Sequence, residues 1–331
     1  MPITLAVDLR GGDKGPLPLL EATTKFLSDF EDVTVLAFGL EGDFPNSLHH
    51  PRLTPVVCGS YITTEEKPTL AVKSKQDSTL VMAVNAVKEG KAYGVVSAGS
   101  TGAVLTAAYL ILGRINGVKR PLLASRLPTL SEPVIFGDLG ANADARPEFL
   151  LSFAVILREF AKIVGGKTDP TVRLLNIGEE EEKGSRLVKE THELLKAYNW
   201  YKGFIEPHQV WHGGMCDVVV TDGFSGNIFL KTAEGVVDTL LGLIKGSIES
   251  SGLSAKIGAL LMKPVFMAVK EKMDYRSYGG APFLGVKGLV IKAHGRSDAE
   301  AFYSALKLAY SLAVSDIVSR IEEAVGGIER G

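Results

Sequence analysis

The sequence has few cysteines, no excess of either charge and no long apolar run. Its 331 residues contain two cysteines, Cys58 and Cys216, which stand far apart and belong to no Cys/His cluster, so neither a disulfide scaffold nor a zinc site is expected. With 36 basic and 38 acidic side chains the net charge is −2, which provides no basic field for nucleic acid. No apolar stretch reaches the roughly 18–20 residues of a membrane span.

Standard nucleotide and hydrolase motifs are missing as well. G-x-G-x-x-G does not follow the first predicted strand, and neither G-x-x-x-x-G-K-[ST] nor H-E-x-x-H nor G-x-S-x-G occurs. NAD, ATP, zinc hydrolysis and a serine acyl-enzyme therefore have no support, and we expect no cofactor and no metal. The N-terminus lacks the basic flank and apolar stretch of a signal peptide, so a reducing cytoplasm is the expected compartment.

What the sequence does contain is an alternation of short β-branched runs and longer helical patterns. This alternation is typical of parallel strands joined by crossover helices. We expect a single α/β domain over residues 1–331, with three α/β/α layers around a mainly parallel sheet, because no repeat or linker divides the chain. The clearest predicted strands cover residues 3–7, 94–96, 134–136, 172–177, 218–220 and 289–292.

Five of these strands end in loops rich in Gly, Asp, Asn, Ser or Glu. In open α/β sheets the carboxyl ends of strands carry the ligand site, so these loops are expected to converge on one crevice. The loop 97–102, before a helical stretch over 103–112, fits an anion cradle, because first-turn N–H groups are unpaired and the helix dipole favours negative charge. Ser100 and Thr101 would add hydroxyl donors. A plain strand-to-helix turn has the same composition.

Two side chains near these loops can either contact a ligand or have no role in binding. Lys183 follows the run Glu179–Glu182, which is predicted to be the solvated first turn of a helix. It can neutralise a phosphate or an oxyanion, or remain an exposed lysine. His294 can donate a hydrogen bond to a ligand or cap a turn.

Further candidates lie at helix ends. Asn227, with Lys231 in the following turn, can cap a helix or bind substrate. Lys73 and Lys75 form either a solvated charged face or a binding site. A C-terminal helix is predicted from the capping-box spacing of Ser297–Glu300 and from the apolar positions that follow, namely Phe302, Leu306, Ala309, Ala313 and Ile317.

Residues 239–273 form a denser apolar pattern, which predicts an inserted amphipathic helical element. Lys256, Lys263 and Lys270 are spaced by seven and form one basic stripe on a helix, and Pro264 should kink or divide it. The element can pack in the monomer core or a dimer interface. It can also lie on a membrane with its lysines at anionic headgroups, or meet an acidic carrier protein.

Seven ordered blocks cover nearly the whole chain: Asp8–Asp13, Ser97–Ala103, Asp138–Asn142, Leu175–Glu180, Asp222–Asn227, Lys231–Gly235 and Tyr278–Gly285. Together they resemble the bacterial phosphate acyltransferases of the PlsX family. The chain departs from the usual pattern in three places. Leu9-Arg10 stands where Ala-Met is usual, Ser100 where Asn is common, and Glu206-Pro207-His208 where Glu-Gly is typical.

The resemblance implies transfer of a fatty acyl group from acyl carrier protein to inorganic phosphate, which gives acyl phosphate for membrane phospholipid synthesis. It also implies a homodimer with a fold similar to the isocitrate and isopropylmalate dehydrogenases. Its membrane link would be peripheral, next to the glycerol-3-phosphate acyltransferase of that membrane. Two alternatives stay open: a metal- and NAD-dependent dehydrogenase of similar fold, and a non-catalytic protein that binds acyl groups or carrier protein.

The chemistry needs no protein nucleophile, because phosphate attacks the thioester itself. The protein must hold phosphate beside the carbonyl and stabilise the oxyanion. We assign phosphate binding to Gly11, Gly12, Asp13, Ser97, Gly99, Ser100, Thr101, Gly102 and Asn142, and catalysis to Lys183, Asn227 and His294. We assign acyl or carrier binding to Gly223, Gly226, Lys231, Lys73 and Lys75, and membrane contact to Lys256, Leu260, Lys263 and Phe266.

Overall fold

Eleven strands form one mixed sheet within residues 2–45, 50–273 and 279–328, the parts of the chain that the computed structural model describes. Tyr278, part of the last sequence block, lies outside these residues. The strands are β1 (Ile3–Asp8), β2 (Val33–Gly39), β3 (Leu53–Val57), β4 (Gly94–Ser97), β5 (Leu122–Leu127), β6 (Val134–Gly137), β7 (Val172–Leu175), β8 (Tyr201–Ile205), β9 (Val218–Val220), β10 (Ala281–Leu284) and β11 (Leu289–Lys292).

Helices connect the strands and cover both faces of the sheet. They are α1 (Pro16–Asp29), α2 (Pro68–Ser74), α3 (Thr79–Lys88), α4 (Thr101–Ala107), α5 (Pro147–Val164), α6 (Arg186–Leu195), α7 (Pro207–His212), α8 (Gly223–Ser250), α9 (Leu253–Leu261), α10 (Lys263–Met273), α11 (Ala299–Val314) and α12 (Ile317–Ile328). Buried side chains of α1, α5, α11 and α12 form the core on one face, and those of α2, α3 and α4 form the core on the other. The α/β class with a large, mostly parallel sheet flanked by helices is confirmed.

The strand order is β3-β2-β1-β4-β11-β10-β5-β6-β9-β7-β8. Among the described neighbours seven pairs are parallel and three are antiparallel, namely β11–β10, β10–β5 and β5–β6. Because of these three reversals, one half of the sheet runs opposite to the other. The first half comprises β3, β2, β1, β4 and β11, and the second comprises β6, β9, β7 and β8. Strands β1, β4 and β11 therefore end at one edge, whereas β6, β7 and β9 end at the opposite edge.

This reversal corrects the expectation that five strand ends converge on one crevice. The loops instead form two groups. The first loop cluster comprises residues 9–13, 98–100 and 293–298, and the second comprises residues 138–146, 176–185 and 221–222. The sequence could not show the reversal, because it depends on which strands become neighbours in the sheet.

The predicted strands all form, with ends within two residues of those expected. Helix starts were predicted less well. Glu179–Glu182 lie in a loop, and α6 begins only at Arg186, where the side chain of Ser185 accepts a hydrogen bond from the Val188 N–H. The capping residue of α11 is Asp298 rather than Ser297, because Asp298 Oδ1 accepts the Ala301 N–H at 3.0 Å.

Helices α8, α9 and α10 carry the predicted apolar element. The described side chains of α9 are all unburied, and on α8 only Gly223 and Gly226 are buried. The hypothesis that this element packs in the monomer core is therefore wrong. The break predicted from Pro264 is confirmed, because α9 ends at Leu261 and α10 begins at Lys263. Among the described helices none is by itself long and apolar enough to cross a membrane, and one bent pair, α11 with α12, meets that test only jointly.

Candidate functional site

The first loop cluster is held together by close backbone contacts. A Cβ atom on Gly11 would lie 2.3 Å from the backbone nitrogen of Gly99, so only glycine lets these two loops approach so closely. The N–H of Asp13 donates to the carbonyl of Gly295 at 2.8 Å. The loops after β1, β4 and β11 are thus one packed unit, as the phosphate assignments at Gly11, Gly12 and Asp13 require.

A buried carboxyl group organises this unit. Asp8 is 1% exposed, and its carboxylate accepts the Ser97 hydroxyl at 2.7 Å and the Arg10 N–H at 3.1 Å. Burial raises the pKa of Asp8, and the hydrogen bond from Ser97 opposes that shift. Ser97 Oγ also accepts the N–H of Gly99 at 3.0 Å. Ser97 and Gly99 are therefore engaged in holding their own loop.

The start of α4 has the geometry of an anion cradle. Ser100 is its N-cap, with Oγ accepting the Ala103 N–H at 3.3 Å, and Thr101 and Gly102 are exposed in the first turn. A Cβ on Gly102 would lie 2.8 Å from Pro68, so α2 stands directly beside this turn. First-turn N–H groups that point outward are donors for a phosphate oxygen.

Helix α2 brings two assigned lysines to the neighbourhood of this turn. Lys73 is exposed at the end of the helix. Lys75 Nζ donates to the carbonyl of Tyr61 at 2.9 Å and to the carboxylate of Glu66 at 2.8 Å. Lys73 is thus the one of the two that presents a charge to solvent.

Arg10, at a position where the chain departs from the family pattern, does not bring an unbalanced charge. Its Nε donates to Asp43 Oδ2 at 2.7 Å, and a second guanidinium nitrogen donates to the other carboxylate oxygen. This bidentate pairing, with the Tyr61 ring 5.5 Å from the guanidinium carbon, fixes Arg10 and neutralises it.

A functional candidate that the sequence interpretation missed is Lys292, the last residue of β11. It is the register partner of Ser97 on β4, and Ser97 is the partner of Asp8 on β1. Partners in parallel strands carry their side chains on the same face. Asp8, Ser97 and Lys292 therefore form a polar row across the sheet face that otherwise carries buried residues such as Val95 and Val290.

The electrostatic surroundings of Lys292 are unusual for a lysine. Lys292 is 9% exposed, and its Nζ donates to the carbonyl of Ala293. Burial lowers its pKa to about 8, Asp13 opposes this shift, and Lys231 adds to it. None of the ion pairs between described residues includes Lys292. The only signal in the sequence was a lysine ending an otherwise apolar strand.

His294 follows two residues later and caps the turn after β11. Its Nδ1 accepts the N–H of Arg296 at 3.1 Å, and its carbonyl accepts the N–H of Ser297 at 3.0 Å. In the neutral ring this bond assigns the proton to Nε2. The turn-capping hypothesis is therefore confirmed, and the ring orientation is set by the same bond.

The second loop cluster is built around Asp138. Its carboxylate accepts backbone N–H groups of Leu123, Gly140, Ala141 and Asn142 at 2.8–3.1 Å. Burial raises its pKa, whereas these hydrogen bonds oppose the shift. The amide nitrogen of Asn142 donates to Asp138 at 2.8 Å and to the Pro121 carbonyl at 2.7 Å. Asn142 thus holds this loop, at the edge opposite to the first loop cluster.

Helix α8 begins against the same loop. Its N-cap is Asp222, whose carboxylate accepts the Ser225 N–H at 2.8 Å, so the capping interpretation of Asn227 is wrong. A Cβ on Gly223 would lie 2.7 Å from the Asn142 carbonyl oxygen, and one on Gly226 would lie 1.9 Å from the Asp138 carbonyl oxygen. These two glycines permit close packing of the helix start.

Further along α8 the helix crosses the sheet. Phe229 stacks on Phe136 of β6 with ring centroids 4.8 Å apart. Lys231 pairs with Glu234 at 2.6 Å and is close enough to Lys292 to lower its pKa. Asn227, in contrast, lies next to Gly140 in the second loop cluster.

Lys183 also belongs to the second loop cluster. Its Nζ donates to Glu180 at 2.8 Å, and that bond raises the pKa of the lysine. Glu206 and Glu182 lie near enough to favour its charge as well. No contact among the described residues joins Lys183 to the first loop cluster, so the structure does not bring Lys183 and Asn227 together with His294.

The remaining assigned residues lie on α9 and α10. Lys256 and Leu260 are exposed on α9, Lys263 is exposed at the start of α10, and Phe266 is half-buried. Leu260 exposes 70% of its surface, and neighbouring Leu261 exposes 76%. A basic and apolar surface of this kind is typical of a partner or membrane contact.

The sheet topology, with helices on both faces, defines an open α/β fold. Solved structures with this fold include a phosphotransacetylase from Streptococcus pyogenes (TM-score 0.63, 17% identity, 95% of this chain and 94% of that one). They also include the EutD phosphotransacetylase from Staphylococcus aureus (TM-score 0.61, 18% identity, 94% of each chain). The likeness to isocitrate and isopropylmalate dehydrogenases stays a prediction.

The family follows from the sequence comparisons. The chain belongs to the fatty acid synthesis protein family, whose model matches residues 3–320. A phosphate acyltransferase from Clostridium perfringens strain SM101 is 43% identical over 328 residues, covering 97% of this chain and 96% of that protein. A phosphate acyltransferase from Staphylococcus haemolyticus is 42% identical over 329 residues, covering 98% and 99%. The family suggested by the seven sequence blocks is thereby confirmed.

Proposed function

We propose that this chain is an acyltransferase that moves a fatty acyl group from acyl carrier protein to inorganic phosphate, and that the acyl phosphate feeds membrane phospholipid synthesis. The observation that carries this proposal is the first loop cluster. It presents the exposed first turn of α4 beside a buried lysine, which is a setting suited to a small anion. Membership of the fatty acid synthesis family and the names of the relatives support the acyl part.

The reaction requires no covalent bond between the protein and its substrates. A phosphate oxygen attacks the thioester carbonyl carbon, the C–O bond forms, and the tetrahedral oxyanion collapses as the C–S bond breaks. The carrier thiolate then takes up a proton. Positioning of phosphate and stabilisation of the oxyanion by preorganised donors supply the rate enhancement.

We assign the roles in this reaction by position. In this proposal the N-terminal turn of α4, with Ser100 and Thr101, holds phosphate, and His294, in the loop after β11, is a catalytic group of the same loop cluster. Lys183 and Asn227 remain proposed catalytic groups, although they lie at the opposite edge of the sheet. For Asn227 the proposal rests on the block Asp222–Asn227, and for Lys183 on its position near the loop that follows β7; neither rests on a contact with the first loop cluster.

The exposed apolar helices support two further proposals. Val236, Leu240 and Leu243 expose 56–64% of their surface along one side of α8, and a second copy of this chain would cover them in a homodimer. The tip formed by α9 and α10 would then face the cytoplasmic leaflet of the membrane, with Lys256 and Lys263 at anionic headgroups. That position would place the product close to the glycerol-3-phosphate acyltransferase of the membrane.

Acyl carrier protein would dock through exposed lysines. Lys73 is exposed at the end of α2, the helix whose first residue lies beside the α4 turn, and Lys231 on α8 is exposed and close to Lys292. Exposed charges of this kind steer acidic partners. A higher salt concentration should then raise the KM for the carrier substrate more than the KM for phosphate.

The test is release of carrier thiol from acyl-acyl carrier protein with and without inorganic phosphate. The proposal predicts thiol release that requires phosphate and saturates with it. Release at the same rate without phosphate would identify a thioesterase, and binding of the carrier without any release would identify a non-catalytic binding protein.

A further inference from the structure

We propose that Lys292 is a substrate-contacting residue of the proposed phosphate site: its buried ammonium group binds the inorganic phosphate that attacks the thioester and accepts the acyl group. This inference rests on the proposed function and names a residue that the sequence interpretation did not select. Lys292 is the last residue of β11 and directly precedes residues 293–298 of the first loop cluster, at the kind of strand end where open α/β sheets bind ligands.

The first argument is the position of Lys292 in the polar row. Its register partner Ser97 donates its hydroxyl to Asp8, so the hydroxyl proton is not directed at Lys292. On the other side Lys292 pairs with Ala281 of β10, whose methyl group is small. Neither the Ser97 hydroxyl proton nor the Ala281 side chain therefore satisfies the ammonium group.

The second argument is the charge that surrounds the lysine. Two charged side chains affect the pKa of Lys292. Asp13, in the β1–α1 loop, favours the charged form of the lysine, and Lys231, on α8, disfavours it. Asp8 lies two strands away in the same row. Lys231 is exposed and paired with Glu234, so of these two cations only Lys292 is buried, and a bound anion would offset the charge of its ammonium group.

The third argument is the unused hydrogen-bonding capacity of the lysine. An ammonium group has three N–H donors, and the described contacts use one, to the carbonyl of Ala293. A buried cation without an ion-paired carboxylate is costly unless a ligand completes it. Phosphate supplies both the charge and the acceptor oxygens.

A backbone feature keeps the strand end in place. A Cβ atom on Gly280 would lie 2.6 Å from the carbonyl oxygen of Lys292, and Gly280 has φ +83°. Only glycine combines this conformation with this close approach at low cost. The position of Lys292 is therefore fixed by the chain on both sides before any ligand arrives.

The test compares Lys292→Met with Lys287→Met. Methionine keeps the length and apolar stem of lysine and removes its charge, and Lys287 is an exposed lysine two residues before β11 begins. Lys292→Met should raise the KM for phosphate at least tenfold, while the KM for acyl-acyl carrier protein changes less than threefold. Lys287→Met should leave both unchanged. An unchanged phosphate KM in a folded Lys292→Met protein would overturn the proposal.

A second measurement covers the case in which Lys292→Met does not fold. The wild-type protein is labelled with an amine-acylating reagent in the presence and absence of inorganic phosphate, and each lysine is read by mass spectrometry. Phosphate should lower labelling of Lys292 at least fivefold and leave Lys287 unaffected. Equal labelling of Lys292 in both samples would contradict the proposal.

A pH profile separates phosphate contact from a structural role. Because burial lowers the pKa of Lys292 to about 8, the phosphate KM of the wild type should rise more steeply between pH 7 and 9 than that of Lys292→Arg, which stays charged. Parallel profiles would count against the contact. If phosphate protects Lys292 from labelling but thiol release does not require phosphate, the proposed function fails and the anion site stands.

Discussion

Ser97 and Asp8 are joined by a hydrogen bond of 2.7 Å between neighbouring strands of the sheet, both almost fully buried. The same serine oxygen receives the N–H of Gly99, so one side chain connects β1, β4 and the loop that starts α4. The first loop cluster is thus fixed by a buried polar link between Asp8 and Ser97.

Removal of this link should destabilise the protein. Ser97→Ala removes one hydrogen bond to the buried Asp8 carboxylate and takes away the acceptor of the Gly99 N–H, which costs about 1–3 kcal/mol of unfolding free energy. Urea denaturation followed by circular dichroism measures this loss. Ser254→Ala, at an exposed position on α9, should change the unfolding free energy by less than about 0.5 kcal/mol. Equal midpoints for Ser97→Ala and the wild type would show that the link carries no stability.

Two glycines of α8 should respond to alanine in opposite ways. Gly226→Ala places a Cβ 1.9 Å from the Asp138 carbonyl oxygen, so the helix start must shift at a cost of about 1–3 kcal/mol. Gly246→Ala meets nothing within 4 Å and should stabilise the helix by about 0.5–1 kcal/mol. Thermal unfolding of both variants tests the packing of α8 on the second loop cluster. A stabilised Gly226→Ala would mean that this packing is absent.

The role proposed for Lys183 is tested by its own truncation. Lys183→Ala should lower turnover at least tenfold, about 1.4 kcal/mol of transition-state stabilisation, without unfolding the protein. Lys189→Ala, at an exposed position on α6, is the matched control and should leave turnover unchanged. Because Lys183 is paired with Glu180 in solvent, its loss should not affect stability measurably. A rate equal to the wild type would remove Lys183 from the catalytic set.

The membrane proposal is tested by flotation with liposomes that contain anionic lipid. Leu260→Glu puts a charge at the centre of the apolar tip and should reduce the floating fraction at least fivefold. Ser254→Glu adds the same charge at a polar position of the same helix and should float nearly as well as the wild type. Equal flotation of all three proteins, or none by any, would defeat the proposal.

Much of the fold could be predicted from the sequence, because local residue patterns determine the strands. The strand Val218–Val220 forms within the limits that its β-branched run predicted, since a fully buried strand needs an apolar run and little else. The helix expected at Glu179–Glu182 did not form, because a charged first turn is only one of several settings for such a run. Ser185, which does cap α6, has the hydroxyl that the glutamates lack.

The candidate site could be predicted less well, because it depends on contacts between distant parts of the chain. The phosphate loop at Ser100 was accessible through its Gly and Ser/Thr composition. Lys292 was not, since its importance arises from its register with Ser97 and from the approach of Lys231 on α8. The division of the loops between two edges of the sheet arises from the three antiparallel strand pairs, which no local pattern predicts.

The most direct test of the account follows the oxygen atoms of phosphate. The protein is incubated with acyl-acyl carrier protein and inorganic phosphate labelled with oxygen-18 at all four positions, in unlabelled water, and the products are analysed by mass spectrometry. Attack by phosphate on the thioester carbonyl predicts acyl phosphate that retains every labelled oxygen, with one mole of carrier thiol per mole of product. Unlabelled free fatty acid as the first product would show that water is the acceptor and would contradict the account.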